Sequence, residues 1–315
     1  MGTATINAIA LSVLSVLAVA VAGPASAQYQ GQPPRLTGDP MEAIALLATP
    51  AYVDRLASIE TTISPREAAR QHDLISAAIN NLAPQRDGVT DVYVLSAGLD
   101  SDRVFGNEAR EASEILARRY GAKSRTILLA NGLGAGPEPV PSASPQHLVT
   151  ALGAIGARMK ADEDVFILFI TAHGGQGSGA VFKDQGRLTS ILSPNALAAL
   201  LRDAGIQDRL IIVSACFSGA FITPLADPRT AIVTAASADR TSFGCAPERD
   251  WTYFGDAFFS RALSKGIGLK AAFKEAQTTI LNWEKRDSVL SSDPQIKVGR
   301  LADFWLSKLE AGVVQ

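Results

Sequence analysis

From Asp91 onward, short apolar runs recur along the chain: DVYVLSAG at 91–98, RTILLAN at 125–131, DVFILFITA at 164–172, RLIIVSA at 209–215 and TAIVTAAS at 230–237. They are rich in Val, Ile and Leu and lack polar alternation, the pattern of strands buried on both faces. Between them lie stretches of helical periodicity. One starts near Asn107, places Ala112, Ile115, Leu116 and Arg119 at helical spacing, and stops at Gly121. Another is capped by Ser193, carries Pro194 in its first turn and Leu197, Leu200 and Leu201 on one face, and stops at Gly205. Strands alternating with helices in this way predict an α/β fold, a mostly parallel central sheet with helices on both faces.

The flanks read differently. Residues 41–83 carry helical periodicity in MEAIALLATPAYVDRLASI and REAARQHDLISAAINNL, broken at Pro50 and at the SP of 64–65, and predict an N-terminal helical extension of two or three helices. After residue 262, ALSKGIGLKAAFKEAQTTILNWEKR predicts a turn and an amphipathic helix, SDPQIKVG an edge strand, and LADFWLSKLEAG a terminal helix. The residues 28–40, QYQGQPPRLTGDP, have nothing to bury and read as a linker. Ahead of them AIALSVLSVLAVAVA at 8–22 is an unbroken apolar run of 15 residues, and it leads to small residues at Ala25 and Ala27. This is the pattern of a signal peptide over 1–27, cleaved before Gln28, although no Lys or Arg precedes Arg35. The run is shorter than the roughly 20 residues a spanning helix needs. The expectation is an exported protein, periplasmic or secreted, touching a membrane only through an uncleaved N-terminal segment. The boundaries are then 1–27, 28–40, 41–83 and an α/β domain at 84–315.

Composition narrows the chemistry. The chain has 315 residues, 47% hydrophobic and 19% charged, with a formal net charge of −2. Those values are ordinary for a globular protein and leave no basic footprint for nucleic acid. Three histidines and two cysteines, scattered, do not give zinc-ligand spacing, so no metal and no cofactor is expected. GLGAG at 132–136 lacks the full dinucleotide spacing, and PEPVP at 137–141 prevents its glycines from opening a helix. Cys216 and Cys245 are the whole thiol inventory, and in an exported chain a bridge between them is one alternative.

In parallel sheets, sites form beyond the carboxyl ends of the strands. Two of the five runs end in chemically capable residues: DVFILFITA runs into His173-Gly174-Gly175, and RLIIVSA runs into Cys216. A thiol and an imidazole at neighbouring strand ends form a nucleophile and its acid/base, because thiolate is the attacking species. The amides of Gly174 and Cys216 are candidate oxyanion donors. His72 and His147 fall in helical segments away from that edge. No histidine follows Cys216, and Ser214 stands where a nucleophile elbow has glycine, which argues against an α/β-hydrolase.

A strand ending in HG, a following strand ending in SACFSG, then TAASADRTSFGC and DWTYFGDAFF, together resemble the legumain family of cysteine peptidases, in the caspase-like clan. The likeness covers roughly 91–285 and is closest to the bacterial exported members. It implies a caspase-like three-layer sandwich and a peptide or protein substrate. It also implies a Cys216–His173 dyad, acting through a thioester, with amides of Gly174 and Cys216 as the oxyanion donors. Asp256 matches a pocket acid of legumains, Ser237 lies on the pocket-lining strand, and Ser214 replaces the acid that legumains carry two residues before the cysteine. Arg103 is the nearest candidate for a pocket arginine. These matches imply cleavage after Asn, or after a basic residue if Asp256 lacks a partner cation. Transamidation by the same dyad, and a non-catalytic envelope binding module with a Cys216–Cys245 disulfide, stand as alternatives. Cys245 itself matches a family cysteine near the pocket wall, and Tyr253, Phe254, Phe258 and Phe259 have the spacing of core residues.

Overall fold

The computed structural model describes residues 59–60, 63–132, 138–184 and 188–313. All of them lie in one compact unit that spans 33–315. The leader, the linker, residues 41–58 and 61–62 of the 41–83 extension and all but the first residue of GLGAG lie outside the described residues.

The five apolar runs become five strands of one six-stranded sheet: β2 (Val92–Gly98), β3 (Thr126–Ala130), β4 (Val165–Thr171), β8 (Arg209–Ser214) and β9 (Thr230–Thr234). The sixth is β10 (Gln295–Val298), the expected edge strand. Their order is β10-β9-β8-β4-β2-β3, parallel throughout except where β10 runs antiparallel to β9. β2 and β4 are buried at every position, which is why neither shows polar alternation.

Helices cover both faces. On one, α2 (Arg103–Arg119) and α7 (Leu269–Arg286) pack Ala112, Leu116, Phe273 and Ile280 against Val94, Ile167, Phe169 and Ile212. The aromatic segment joins this layer: α6 (Tyr253–Gly255) passes into a π-helical stretch, Asp256–Ala262, and Tyr253, Phe254, Phe258 and Phe259 are all buried, as their spacing predicts. On the other face, α3 (Pro145–Gly156) and α4 (Pro194–Asp203) pack Leu148, Leu152, Leu197 and Leu201 against Leu95, Leu168 and Ile211. Each fully buried side chain of this size stabilises the fold by about 2 kcal/mol relative to exposure. Ser193 caps α4 through a bond from the Ala196 N–H, as the sequence predicts. The helix α2 begins at Arg103 rather than near Asn107, so its first turn reaches back to the carboxyl end of β2.

Two features depart from the sequence pattern. Ile59–Glu60, inside the predicted helical extension, is a strand, β1, paired with Leu188 and Thr189 of β7 (Leu188–Leu192), because a cross-strand partner outweighs local helical preference. Pro65–Asn80 is helical as expected and is α1. The second departure is an antiparallel sheet inserted between β4 and α4: β5 (Gly174–Gly175), β6 (Gly179–Asp184) and β7, joined at its edge by β1. A short helix, α5 (Ile222–Leu225), follows β8, and α8 (Arg300–Val313) closes the described chain. No helix among the described residues is long and apolar enough to cross a membrane.

Candidate active site

Neighbouring parallel strands place register partners side by side on one face. Thr171 and Ser214 are such partners across β4 and β8. Side chains two residues further on return to the same face. His173 and Cys216 are each two residues beyond, so both leave the carboxyl edge of the sheet on the side covered by α2. The strand-end argument made from sequence holds for both residues.

Cys216 is 7% exposed and unbridged, and Cys245 is likewise a free thiol. The Ser242 N–H donates to Cys216 Sγ at 3.3 Å, and the Ser242 hydroxyl lies 3.6 Å from the same sulfur. The Cys216 thiol is drawn below its ordinary pKa, chiefly by a hydrogen bond from the Cys245 thiol, then by the Ser242 hydroxyl and N–H and by the charge of His173. Burial opposes these effects without overcoming them. The Cys245 thiol is correspondingly pushed up, first by its bond to Cys216 and then by burial. Thiolate character at Cys216 is what nucleophilic attack requires.

The residue after the nucleophile, Phe217, has φ of 58°, in the left-handed region that a bulky side chain rarely adopts. Its N–H is fixed by the Arg240 carbonyl at 2.7 Å. Such local strain is held at sites where position matters more than backbone comfort. Gly174 approaches from the neighbouring strand end: a Cβ there would stand 2.0 Å from the Cys216 carbonyl oxygen, so only glycine allows this contact. It brings the Gly174 peptide against the Cys216 peptide.

His173 meets Asp102, whose Oδ2 lies 3.4 Å from Nε2, and the edge of Phe105, with ring centroids 4.9 Å apart. The imidazole contact holds the Asp102 carboxyl below its ordinary pKa. Asp102 also receives Lys183 at 3.6 Å, and Lys183 lies 3.5 Å from buried Asp100, whose pKa is raised by burial. Asp100, Asp102 and His173 offer ligand atoms within 4.8 Å of one another, the one such group among the described residues. The Lys183 ammonium lies within 3.6 Å of both carboxylates and offsets one of their two charges.

Each predicted pocket residue has a partner of its own. Asp256 is buried and accepts from Arg261 Nε at 2.8 Å and Nη2 at 3.1 Å. Its pKa is nevertheless raised, by burial. The expectation that Asp256 lacks a partner cation is therefore corrected: π-helical winding brings the residue five positions on over its carboxylate. Arg103 is 68% exposed and pairs with Asp250 at 3.7 Å. Ser237 is buried and donates to Asp239 Oδ1 at 2.7 Å. Ser214, buried, bonds Glu108 and Thr252, each at 3.2 Å.

Four residues at the site went unread in the sequence. Asp100 and Asp102 follow β2 in LDSD, a third strand end bearing acids, which is a readable signal. Glu108 sits on the apolar stripe Val104, Glu108, Ala112, Leu116 of α2, where an acid is out of pattern. Ser242 carries no signal apart from lying three residues before Cys245.

Residues 150–304 match the Peptidase C13 family. A search of the curated proteins found no match. Among the solved structures that match is a crystal structure of caspase-1 from Spodoptera frugiperda, 11% identical, covering 66% of this chain and 86% of that one, with a TM-score of 0.43. The matched residues 150–304, which hold both His173 and Cys216, resemble the Peptidase C13, or legumain, family of cysteine peptidases.

Proposed function

We propose that this chain is a cysteine endopeptidase that cleaves peptide bonds through Cys216 and His173. The observation that carries the reading is the register of β4 and β8, which sets the imidazole and a thiol of lowered pKa at adjacent strand ends. In the reaction, the Cys216 thiolate attacks the carbonyl carbon of the scissile bond, and the amides of Gly174 and Cys216 receive the oxyanion. His173 then protonates the leaving amine, and a thioester to Cys216 remains. Water, deprotonated by His173, attacks the thioester and releases the acid product. Asp102 orients the imidazole through its Nε2 contact.

The Asp256–Arg261 pair removes the electrostatic reason for a basic residue before the scissile bond. Asparagine, implied by the family resemblance, is the preference we propose. Export rests on the leader-like residues 1–27, outside the described chain. The free thiols at Cys216 and Cys245 support catalysis over the bridged binding module.

The experiment is cleavage of fluorogenic peptides carrying Asn, Asp, Lys or Arg before the scissile bond by residues 28–315, with Cys216→Ala and His173→Ala as controls. Turnover lost in both variants supports the dyad. Turnover that survives Cys216→Ala, or none by reduced, folded protein, overturns the reading. Added hydroxylamine separates the two acyl-transfer outcomes: a hydroxamate formed in preference to acid marks a transamidase.

A further inference from the structure

Beneath the dyad lies a carboxylate that the mechanism does not use. Glu108 is fully buried on the sheet-facing side of α2. Thr171 Oγ1 donates to its Oε2 at 2.6 Å, and Ser214 Oγ and Thr252 Oγ1 donate to its Oε1 at 3.2 and 2.8 Å. Among the described residues no cation pairs with it. The Thr252 hydroxyl in turn accepts from the Gly255 N–H at 3.0 Å, and a Cβ at Gly255 would stand 1.9 Å from Glu108 Oε1. The carboxylate is therefore enclosed and does not face substrate.

Burying an acid without a cation is costly even when hydroxyls satisfy it. The other positions of the same stripe, Val104, Ala112 and Leu116, are apolar and fully buried, so packing alone does not call for an acid here. What distinguishes the acid is what it joins. Thr171 stands two residues before His173, Ser214 stands two residues before Cys216, and Thr252 caps the helix that leads to Asp256.

We propose that Glu108 is the positioning residue of the dyad, holding the ends of β4 and β8 through Thr171 and Ser214 so that His173 and Cys216 keep their relative placement. This rests on the cysteine-peptidase reading. Neither dyad residue touches Glu108, and its effect is transmitted through the two hydroxyls.

The test uses the full chain with Glu108→Gln, Thr171→Val and the double variant. It reads kcat and KM on the preferred peptide, the rate of Cys216 alkylation by iodoacetamide at pH 7, and thermal unfolding as a control for folding. Glu108→Gln keeps the shape and one acceptor oxygen. It is expected to fold, to lose about tenfold or more in kcat with KM within about twofold, and to slow alkylation. Thr171→Val is expected to lower kcat and to slow alkylation less in the Glu108→Gln background than in the wild type, because the two act as a unit. Folded Glu108→Gln with wild-type kcat and alkylation, or effects that simply multiply, overturns the proposal. If the wild type cleaves no peptide, the endopeptidase reading fails, and the alkylation cycle alone decides the role of Glu108. If Glu108→Gln does not fold, the cycle of Thr171→Val and Ser214→Ala decides it: coupling of the two hydroxyls on different strands supports the proposal, and independence overturns it.

Discussion

Asp102 Oδ2 lies 3.4 Å from His173 Nε2, and the same carboxylate takes Lys183 at 3.6 Å on its other oxygen. The acid at the end of β2 thus braces the imidazole from one side and is itself braced from the other. An Asp102→Ala variant removes the orienting contact but neither dyad member. We expect kcat to fall about tenfold to a hundredfold with KM little changed, read in steady-state kinetics on the preferred peptide. A KM effect without a kcat effect would place Asp102 in substrate binding instead.

Cys245 donates to the Cys216 thiolate, the largest of the influences that lower the Cys216 pKa. Cys245→Ala removes that donor. The pH profile of Cys216 alkylation is expected to move to higher pH, because the thiolate loses its principal stabilising bond. An unmoved profile would assign the lowered pKa to Ser242 and His173 alone.

Gly174 packs where a Cβ would stand 2.0 Å from the Cys216 carbonyl oxygen. The opposing atom is backbone and cannot swing aside, so Gly174→Ala pushes apart the two peptides assigned to the oxyanion. We expect activity to fall by about a hundredfold or more, comparable to the loss of an oxyanion donor. Circular dichroism would show the sheet retained.

The Asp256–Arg261 pair is largely buried at the carboxylate, with the guanidinium partly reaching solvent. Asp256→Ala removes a buried carboxylate from a partly buried cation. We expect a loss of about 3 kcal/mol, the lower end of what breaking a buried pair costs, measured by urea unfolding. An unchanged ranking of peptide substrates in the same variant would show that the pair is structural and not a specificity element.

Burial raises the Glu108 carboxyl to about 7, against the bonds from Thr171, Thr252 and Ser214, with the charge of Asp256 adding to the rise. Because the folded pKa lies above the unfolded one, the folded state binds more protons across the window from about 4.5 to 7. Stability from this group is therefore present below that window and is lost as pH rises through it, by about 3 kcal/mol in all. Urea unfolding at pH 5 and pH 8 measures this: the wild type is expected to lose more stability across the interval than Glu108→Gln. Equal losses would show that Glu108 titrates in the ordinary carboxylate range.

By itself, the sequence determined the strands, their parallel arrangement and the placement of His173 and Cys216 at adjacent strand ends. β2, β4 and β8 are buried on both faces, so their runs carry no alternation of polar positions and stand out locally. A reactive residue at the end of such a run has one place to go, the carboxyl edge of the sheet, and that is where His173 and Cys216 stand. What needed the tertiary structure were contacts between residues far apart in the chain or wound unusually. Glu108 is 63 residues from Thr171 and 106 from Ser214, and only the packing of α2 across the strand ends joins them. Asp256 and Arg261 would lie about 140° apart around an ordinary α-helix, and π-helical winding brings them together. Ser242 reaches Cys216 because the loop after β9 folds back onto β8, fixed by the Arg240 carbonyl on Phe217. Burial on both faces leaves its mark within a few consecutive residues, whereas closure of a site depends on where distant segments come to rest.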